Sequence, residues 1–173
     1  MKFCSRLLML AVTLLSGAGA LAQVTSVTVD RVGQSQTGSD GEQSLDLGSA
    51  KGKGRTSVSA GSVTQSQNGL GNRQALGIGN ASEQGRSNVS IGTAGQSQRG
   101  MNNRQNAQIG NATNSGNTEV RVGAVIQGQG GMNNSQDVRI GNASKGTSRV
   151  SVGSIVQDQD GTGKTQKINI GNQ

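Results

Sequence analysis

Glutamine and asparagine recur at fixed intervals along this chain, and their side-chain amides can form hydrogen bonds that repeat with the sequence. Pairs of glutamines two residues apart occur five times: Gln34, Gln36, Gln65, Gln67, Gln96, Gln98, Gln127, Gln129, Gln157 and Gln159. A second series follows these pairs: Asn72, Gln74, Asn103, Gln105, Asn134, Gln136 and Gln166. A primary amide does little acid–base chemistry, but it both donates and accepts hydrogen bonds. Stacked amides can bond to one another along a column, so we expect these residues to form a ladder for stacking and self-assembly.

Catalytic chemistry, in contrast, has few candidate residues. The chain contains no histidine and a single cysteine, Cys4, which excludes imidazole-dependent nucleophilic catalysis and histidine or thiolate metal sites. The carboxylate pair Asp158 and Asp160 occurs in one repeat only, and we interpret it as a charged rim that limits aggregation. We therefore expect no enzyme, no metal and no other cofactor.

The elements that must position the amides are the copies of an internal repeat. The copies begin at Val27, Val58, Val89, Val120 and Val150, so the period is 31 residues three times and then 30. A fixed period of this length is typical of a repeat architecture. Because one copy is too small and too polar to bury its own inner face, we expect the five copies to stack.

Each copy is predicted to contain strands and a turn. In its second half, residues such as Gln105, Ala107 and Ile109 alternate with polar neighbours, a period of two that is typical of a half-buried β-strand. The first half contains a short valine segment and then the glutamine strand. A glycine that suits a bulge joins these two segments: Gly61, Gly92, Gly123 and Gly153.

The pattern Q-x-G-x-x-N between the strands predicts a tight turn, with turn glycines at Gly38, Gly69, Gly100, Gly131 and Gly161. Residues 83–88 and 114–119, which join successive copies, are predicted to be surface loops. The expected fold is all-β: a β-solenoid, or cross-β stack, of five ~31-residue strand–turn–strand repeats.

The alternation also predicts what each face of the stack carries. The aliphatic residues that end the second strands should form one column: Leu47, Ile78, Ile109, Ile140 and Ile170. The outward charges should form another: Arg73, Arg104, Arg139 and Lys167. Since apolar residues make up only 30% of the chain, we expect amide columns, and not an aliphatic interior, to hold the stack together.

The first 22 residues are of a different kind. Lys2 and Arg6 precede an apolar run at residues 7–15, and small residues follow at 20–22, a pattern typical of a cleaved secretory signal peptide that is too short for a membrane span. The repeat domain would then be residues 23–173, secreted and without a transmembrane segment. Of the 16 basic residues, loss of Lys2 and Arg6 would leave 14, against 9 acidic ones.

The ends of such a stack predict self-association. A terminal coil has unpaired strand edges, which proteins usually protect with caps, charge or proline, and this chain has no proline. Head-to-tail contact that does not close gives a filament, so the expected partner is the chain itself. Nucleic acid is not expected, because the repeats lack aromatic residues for base stacking and the basic stretch 51–55 is interpreted as a solvated loop.

The repeats resemble those of curlin subunits, the building blocks of bacterial curli amyloid fibres. Curlin repeats carry Q-x-G-x-x-N at their centre, and residues 67–72, 98–103 and 129–134 match it. The first and last copies keep the glutamine and glycine but have Gly41 and Lys164 at the asparagine position. This is a divergent, longer repeat, and glutamine stands where curlins have alanine: Gln74, Gln105 and Gln136.

The resemblance implies an extracellular fibre at the bacterial outer surface that contributes to surface adhesion and biofilm matrix. It also implies, besides the chain itself, a second curlin-type subunit and an outer-membrane secretion machinery as partners. The alternative is a monomeric β-solenoid adhesin or binding protein of the cell surface, whose stack stays finite and whose loops bind a surface. An ice-binding solenoid is a further alternative, but it needs a regular threonine-rich face and the threonines here are irregular.

Overall fold

The computed structural model describes residues 24–173, and the regular structure in that part of the chain is β-strand. The predicted signal peptide at residues 1–22 lies outside the described residues. Ten strands follow one another: β1 Val24–Thr37, β2 Glu42–Leu47, β3 Arg55–Leu70, β4 Arg73–Ile78, β5 Arg86–Met101, β6 Arg104–Ile109, β7 Asn117–Gln129, β8 Ser135–Ile140, β9 Thr147–Gln159 and β10 Thr165–Ile170. Long and short strands alternate, so each repeat is one coil, from coil 1 (β1 and β2) to coil 5 (β9 and β10).

The coils stack into two parallel five-stranded sheets. The long strands lie in the order β1-β3-β5-β7-β9 and the short strands in the order β2-β4-β6-β8-β10. Each residue pairs with its equivalent in the next repeat, as Gln96 of β5 pairs with Gln65 of β3 and Gln127 of β7. The structure confirms the predicted all-β solenoid, with one coil for each of the five repeats.

The long strands reverse their faces in the middle. In β3, Val58 and Ala60 are buried, and Val63 and Gln65 are buried with the opposite parity. The backbone is paired on both sides of this reversal, so the valine and glutamine segments form a single strand of 16 residues. The reversal occurs at the predicted glycine, but in later coils the residue after the glycine takes the positive φ: Thr93 (68°), Ala124 (66°) and Ser154 (54°).

The linkers between coils are shorter than predicted. β5 begins at Arg86 and β7 at Asn117, so the second halves of the predicted loops 83–88 and 114–119 are strand. The reason is an inward hydroxyl at the start of the long strand in coils 2 to 5. Ser87 Oγ donates to the carbonyl oxygen of Gly110 at 2.5 Å, and Thr118 Oγ1 donates to the same oxygen at 3.0 Å. The Ser87 bond closes the cross-section of coil 3 between its long and short strands, and the Thr118 bond joins coil 4 to coil 3.

The interior is divided between amides and aliphatic side chains, so the predicted amide columns share it with an apolar cluster. In the part of the chain that the structure describes, 19 apolar and 18 polar residues are buried. Sixteen of these apolar residues form one continuous cluster, which contains Ile78, Ile109 and Ile140 of the predicted column. The overall composition understates this cluster, because only about every second residue of a strand points inward and several of those in the long strands are valines.

Candidate stacking ladders and stack ends

Three glutamine columns run through the stack: two have a hydrogen bond from each coil to the next, and the other has such bonds from coil 2 to coil 5. The first joins Gln34, Gln65, Gln96, Gln127 and Gln157 at 2.7, 2.9, 2.8 and 3.0 Å. The second joins Gln67, Gln98, Gln129 and Gln159 at 3.0, 2.9 and 3.3 Å. The third joins Gln43, Gln74, Gln105, Gln136 and Gln166 at 3.0, 2.9, 3.0 and 3.1 Å. Gln43 was not among the predicted ladder residues, and the structure adds it.

The backbone of the opposite strand holds the amides in one orientation. Besides its glutamine partner, Gln105 Nε2 donates to the carbonyl oxygen of Ser97 at 3.0 Å, and Gln98 Nε2 donates to that of Arg73 at 3.1 Å. Because a carbonyl oxygen only accepts, the amide nitrogen must face it. Every glutamine–glutamine bond in residues 24–173 accordingly runs from Nε2 of one coil to Oε1 of the next.

Gln36 lies in register with Gln67, but its amide does not join the column. Gln36 Nε2 donates instead to the carbonyl oxygen of Gly41 at 2.7 Å, and Oε1 of Gln67 is buried without a hydrogen-bond partner. The cause is Gly41, which stands where coils 2 to 4 have asparagine. A Cβ at Gly41 would meet Gln36 Nε2 at 2.7 Å, so the missing side chain leaves room for the amide to turn away.

The predicted asparagines bind the first turn of one coil to that of the next. Asn103 is fully buried; its Nδ2 donates to the carbonyl oxygen of Gly131 at 3.0 Å, and its Oδ1 accepts from the backbone N–H of Asn134 at 3.0 Å. We call this pair of bonds the asparagine bracket. Asn72 and Asn134 make the same bracket to the coils that follow them. The equivalent residues in coils 1 and 5 cannot make it: Gly41 and Lys164.

The predicted turn glycines form a column that only glycine can occupy. Their φ angles are 116°, 127°, 111°, 91° and 114° at Gly38, Gly69, Gly100, Gly131 and Gly161. A Cβ on Gly100 would lie 2.0 Å from the carbonyl oxygen of Gly131 in the next coil. Glycine is therefore required both by the positive φ and by the close approach of the next coil.

Sequence reasoning missed two further sets of residues that join or close the coils. At the second turn, Oδ1 of Asn111 accepts from the backbone N–H of Asn80 at 3.0 Å, and the contact recurs at Asn142 and Asn172 at 2.8 and 2.9 Å. The signal for this column was the recurring I-G-N. The second set comprises the inward hydroxyls, each two residues before the first valine of a repeat: Thr56, Ser87, Thr118 and Ser148.

The predicted single column of outward charges is wrong. Arg73 and Arg104 are neighbours in register, but Arg139 and Lys167 each lie in a column of their own. Arg73 Nε is 3.3 Å from the Glu42 carboxylate, so an acid in the preceding coil offsets the one like-charged pair. The alternation had correctly assigned these residues to the outer face, but only the register decides which of them are neighbours.

The two ends of the stack leave the interior uncovered. Within residues 24–173, coil 1 and coil 5 each have a neighbouring coil on one side only. Four apolar residues at each end are only partly buried against the core: Val27, Val32, Leu45 and Leu47 in coil 1, and Val150, Val152, Ile168 and Ile170 in coil 5. In coil 5, moreover, the buried Nε2 of Gln159 has no hydrogen-bond partner. Gln157 and Gln159 of coil 5 stay buried, so what each end presents is mainly apolar columns that have no further coil beside them within residues 24–173.

Comparison of the chain with protein-family models, with curated proteins and with solved structures gave no match. In the described part of the chain no helix is long and apolar enough to cross a membrane. Residues 24–173 also contain no group of three or more His, Cys, Asp or Glu side chains that could hold a metal ion. Asp158 and Asp160, the carboxylate pair noted in the sequence, are exposed.

Proposed function

We propose that this chain is a secreted structural subunit that self-assembles into curli-like extracellular amyloid fibres for surface adhesion and biofilm matrix. The observation that carries the proposal is the state of the two terminal coils. They have the same two strands, glutamine columns and aliphatic columns as the internal coils, yet within the described residues only one side of each is covered. A second copy offers a surface with the matching pattern.

A coil added to either end would gain backbone hydrogen bonds and would bury apolar surface. An internal long strand is paired on both sides, as β5 is along its length with β3 and β7. An edge strand leaves one row of backbone N–H and C=O groups without a strand partner, which makes it a template for further pairing. Covering a terminal coil would also bury its partly exposed valines, leucines or isoleucines, and burial contributes roughly 25 cal/mol per Å² of apolar area.

The remaining parts of the proposal rest on the sequence. Residues 1–22 have the pattern of a secretory signal peptide, which supports export. The likeness of the repeats to curlins supports a place at the bacterial outer surface, an outer-membrane secretion machinery and a second curlin-type subunit as partner. The amides and turns carry no catalytic role in this proposal, which is that of a structural protein and not of an enzyme.

Purified protein tests the proposal directly. We expect unbranched fibres by electron microscopy and a rise in thioflavin fluorescence on incubation. Val152→Lys would place a charge on the open face of coil 5 and should abolish or greatly slow fibre formation. Val156→Lys is the matched control, because Val156 lies in the same strand but points outward and is 64% exposed. Wild-type protein that stays monomeric at high concentration would contradict the proposal.

A second candidate function is that of a monomeric β-solenoid adhesin. The observation in its favour is a column of apolar side chains on the first turn, where Leu70, Met101 and Met132 are 47%, 39% and 40% exposed. Neighbouring coils bring these residues into register, and a binding partner could cover them. Stable monomers that bind a surface through this column, with binding lost in Met101→Ser, would favour the adhesin over the fibre.

A further inference from the structure

The glutamine columns are polar, and so the two ends of the stack differ chemically. Since Nε2 of each coil donates to Oε1 of the next, coil 1 presents amide oxygens that no preceding coil of the described residues approaches. Coil 5 carries the amide nitrogens on its outer side, and among them Nε2 of Gln159 has no hydrogen-bond partner although it is buried. Joining coil 5 of one copy to coil 1 of another matches donors with acceptors. Joining two copies of coil 5 would bring donors against donors.

On the short strands, the outward charges differ between the ends in the same complementary way, whereas Asp158 and Asp160 of coil 5 lie on the long strand and in the first turn. In coil 1 they are acidic, with Glu42 and Asp46 exposed on β2; in coil 5 the exposed Lys167 lies on β10. If the internal register continues across a joint, Lys167 lies over Ser44, with Glu42 and Asp46 two residues away on either side. Opposite charges in neighbouring strands attract, whereas like charges repel. A joint between two copies of coil 5 would instead bring lysines together.

Lys164 stands at the point where an incoming coil must approach most closely. In coils 1 to 4, a Cβ added to the turn glycine would lie 1.8 to 2.0 Å from the carbonyl oxygen of the turn glycine in the next coil. At Gly161 in coil 5 the atoms nearest to that position are Lys164 Cε and Nζ, at 3.2 and 3.4 Å. Lys164 also replaces the asparagine that would make the bracket to the next coil.

We propose that coil 5 of one subunit receives coil 1 of a second copy in the register of the internal coils, and that Lys164 slows this step because its side chain lies against the docking position. This inference rests on the self-assembly proposed above and specifies its partner surface, its direction and its regulation. The resulting fibre is polar, with every subunit pointing the same way. Lys164 is the residue that limits the rate at which subunits add.

Disulfide trapping tests the direction and register. In a Cys4→Ser background, which removes the only native thiol, Thr28→Cys and Ser151→Cys are combined in one chain. Both residues are exposed and belong to one column. They are four strand spacings apart within a subunit, roughly 19 Å, beyond the ~7 Å limit for a disulfide. Across the proposed joint they are directly opposite, so oxidised fibres should resolve as a covalent ladder of multimers on a denaturing gel.

The matched control is Ser26→Cys with Ser151→Cys, which shifts one thiol by two residues along β1 to roughly 7–8 Å from its partner. It should cross-link far less. Fibres of the Thr28/Ser151 pair that give no ladder, a control that cross-links equally well, or dimers from Ser151→Cys alone would each overturn the inference while leaving self-assembly intact. Wild-type protein that forms no fibres would overturn the proposed function, and this inference with it.

Lys164→Asn tests the brake. The substitution removes the obstructing side chain and restores the bracket to the next subunit, so growth of the variant from its own sheared fibres should be several-fold faster than wild type. Lys167→Asn changes the net charge equally but removes the attraction to Glu42 and Asp46, and its growth should be slower than wild type. Growth of Lys164→Asn at or below the wild-type rate, or equal acceleration of both variants, would show that Lys164 does not limit addition.

Discussion

A buried glutamine in this protein satisfies its hydrogen-bonding groups because an equivalent glutamine lies in the coil before it and another in the coil after it. Gln96 accepts from Gln65 at 2.9 Å, donates to Gln127 at 2.8 Å, and donates to the carbonyl oxygen of Ala75 at 3.3 Å. With 3% of its surface exposed, the side chain has little access to water. The amide therefore behaves as a specific link in a chain of bonds and not as a generic polar residue.

Replacing that link should be costly even though leucine is apolar and of similar size. Gln96→Leu removes three hydrogen bonds and leaves the Gln65 amide nitrogen and the Gln127 amide oxygen buried without their partner. We expect the free energy of unfolding to fall by about 2–4 kcal/mol, because each buried unsatisfied group costs about 1–3 kcal/mol. Urea denaturation followed by circular dichroism measures this change in the free energy of unfolding.

The control for this prediction is Gln84→Leu, which changes the same residue type at an exposed position between coils. Its free energy of unfolding should stay within about 0.5 kcal/mol of wild type. An equal, small effect at both positions would mean that the aliphatic cluster alone holds the coils together and that the amide columns are incidental.

The ladder residues could be predicted because recurrence at one offset in every copy marks a structural position. What could not be predicted was their local bonding. Gln36 turns away from its column because Gly41 lacks a side chain, which depends on the relative positions of two strands and a turn. The column of Asn80, Asn111 and Asn142 uses backbone N–H groups as donors, and the side-chain pattern alone does not reveal which backbone groups are free.

The element that fixes the spacing of the coils is the first turn. Its glycine brings the backbone of one coil against that of the next, and the asparagine bracket then binds the two turns together. The sequence predicted the short strands and the turn glycines correctly, because there the alternation of apolar residues and the residue types of the turn indicate the same structure. It was misleading for residues 83–88 and 114–119, where polar residues suggested loops although Ser87 and Thr118 point inward to close the coil.

Substitutions at turn glycines should separate the effect of close approach from that of backbone conformation. In Gly100→Ala the new Cβ would lie 2.0 Å from the Gly131 carbonyl oxygen at a φ of 111°, so the coils must separate. We expect a loss of roughly 3–5 kcal/mol, or failure to fold, by the same urea measurement.

Gly163→Ala provides the comparison, because Gly163 also has positive φ (68°) but no atom lies within 4 Å of the position of its Cβ. It should lose only roughly 1–2 kcal/mol, the cost of the left-handed conformation itself. If Gly100→Ala is as mild as Gly163→Ala, the turns do not set the distance between coils.

The molecule as a whole is a one-dimensional object in which each coil contacts only its neighbours. Within residues 24–173 the terminal coils repeat the two strands and the aliphatic columns of the internal coils, but each is paired on one side only and neither has the bracket asparagine. The period predicted five stacked repeats, and the structure shows that each repeat is one coil. The period did not predict the neighbours of each outward charge, since Arg73, Arg139 and Lys167 share a face but not a column.

The interior of the whole stack is divided into an amide part and an aliphatic part. The amides near the first turn give direction and register, because they bond only when coils are aligned. The aliphatic residues near the second turn supply burial, which does not depend on direction. A stack that had only the second kind of interior could slip or reverse. In this protein the two kinds occur in every coil, so growth by stacking would preserve both.

Cryo-electron microscopy of fibres grown from the purified protein would show directly whether subunits stack end to end as the coils do within one subunit. We predict two parallel sheets that run without interruption along the fibre, a strand spacing of about 4.8 Å and a subunit repeat of roughly 24 Å, the height of five coils. Fibres in which subunits meet through the outer faces of their sheets, or in which strands run along the fibre axis, would contradict the account.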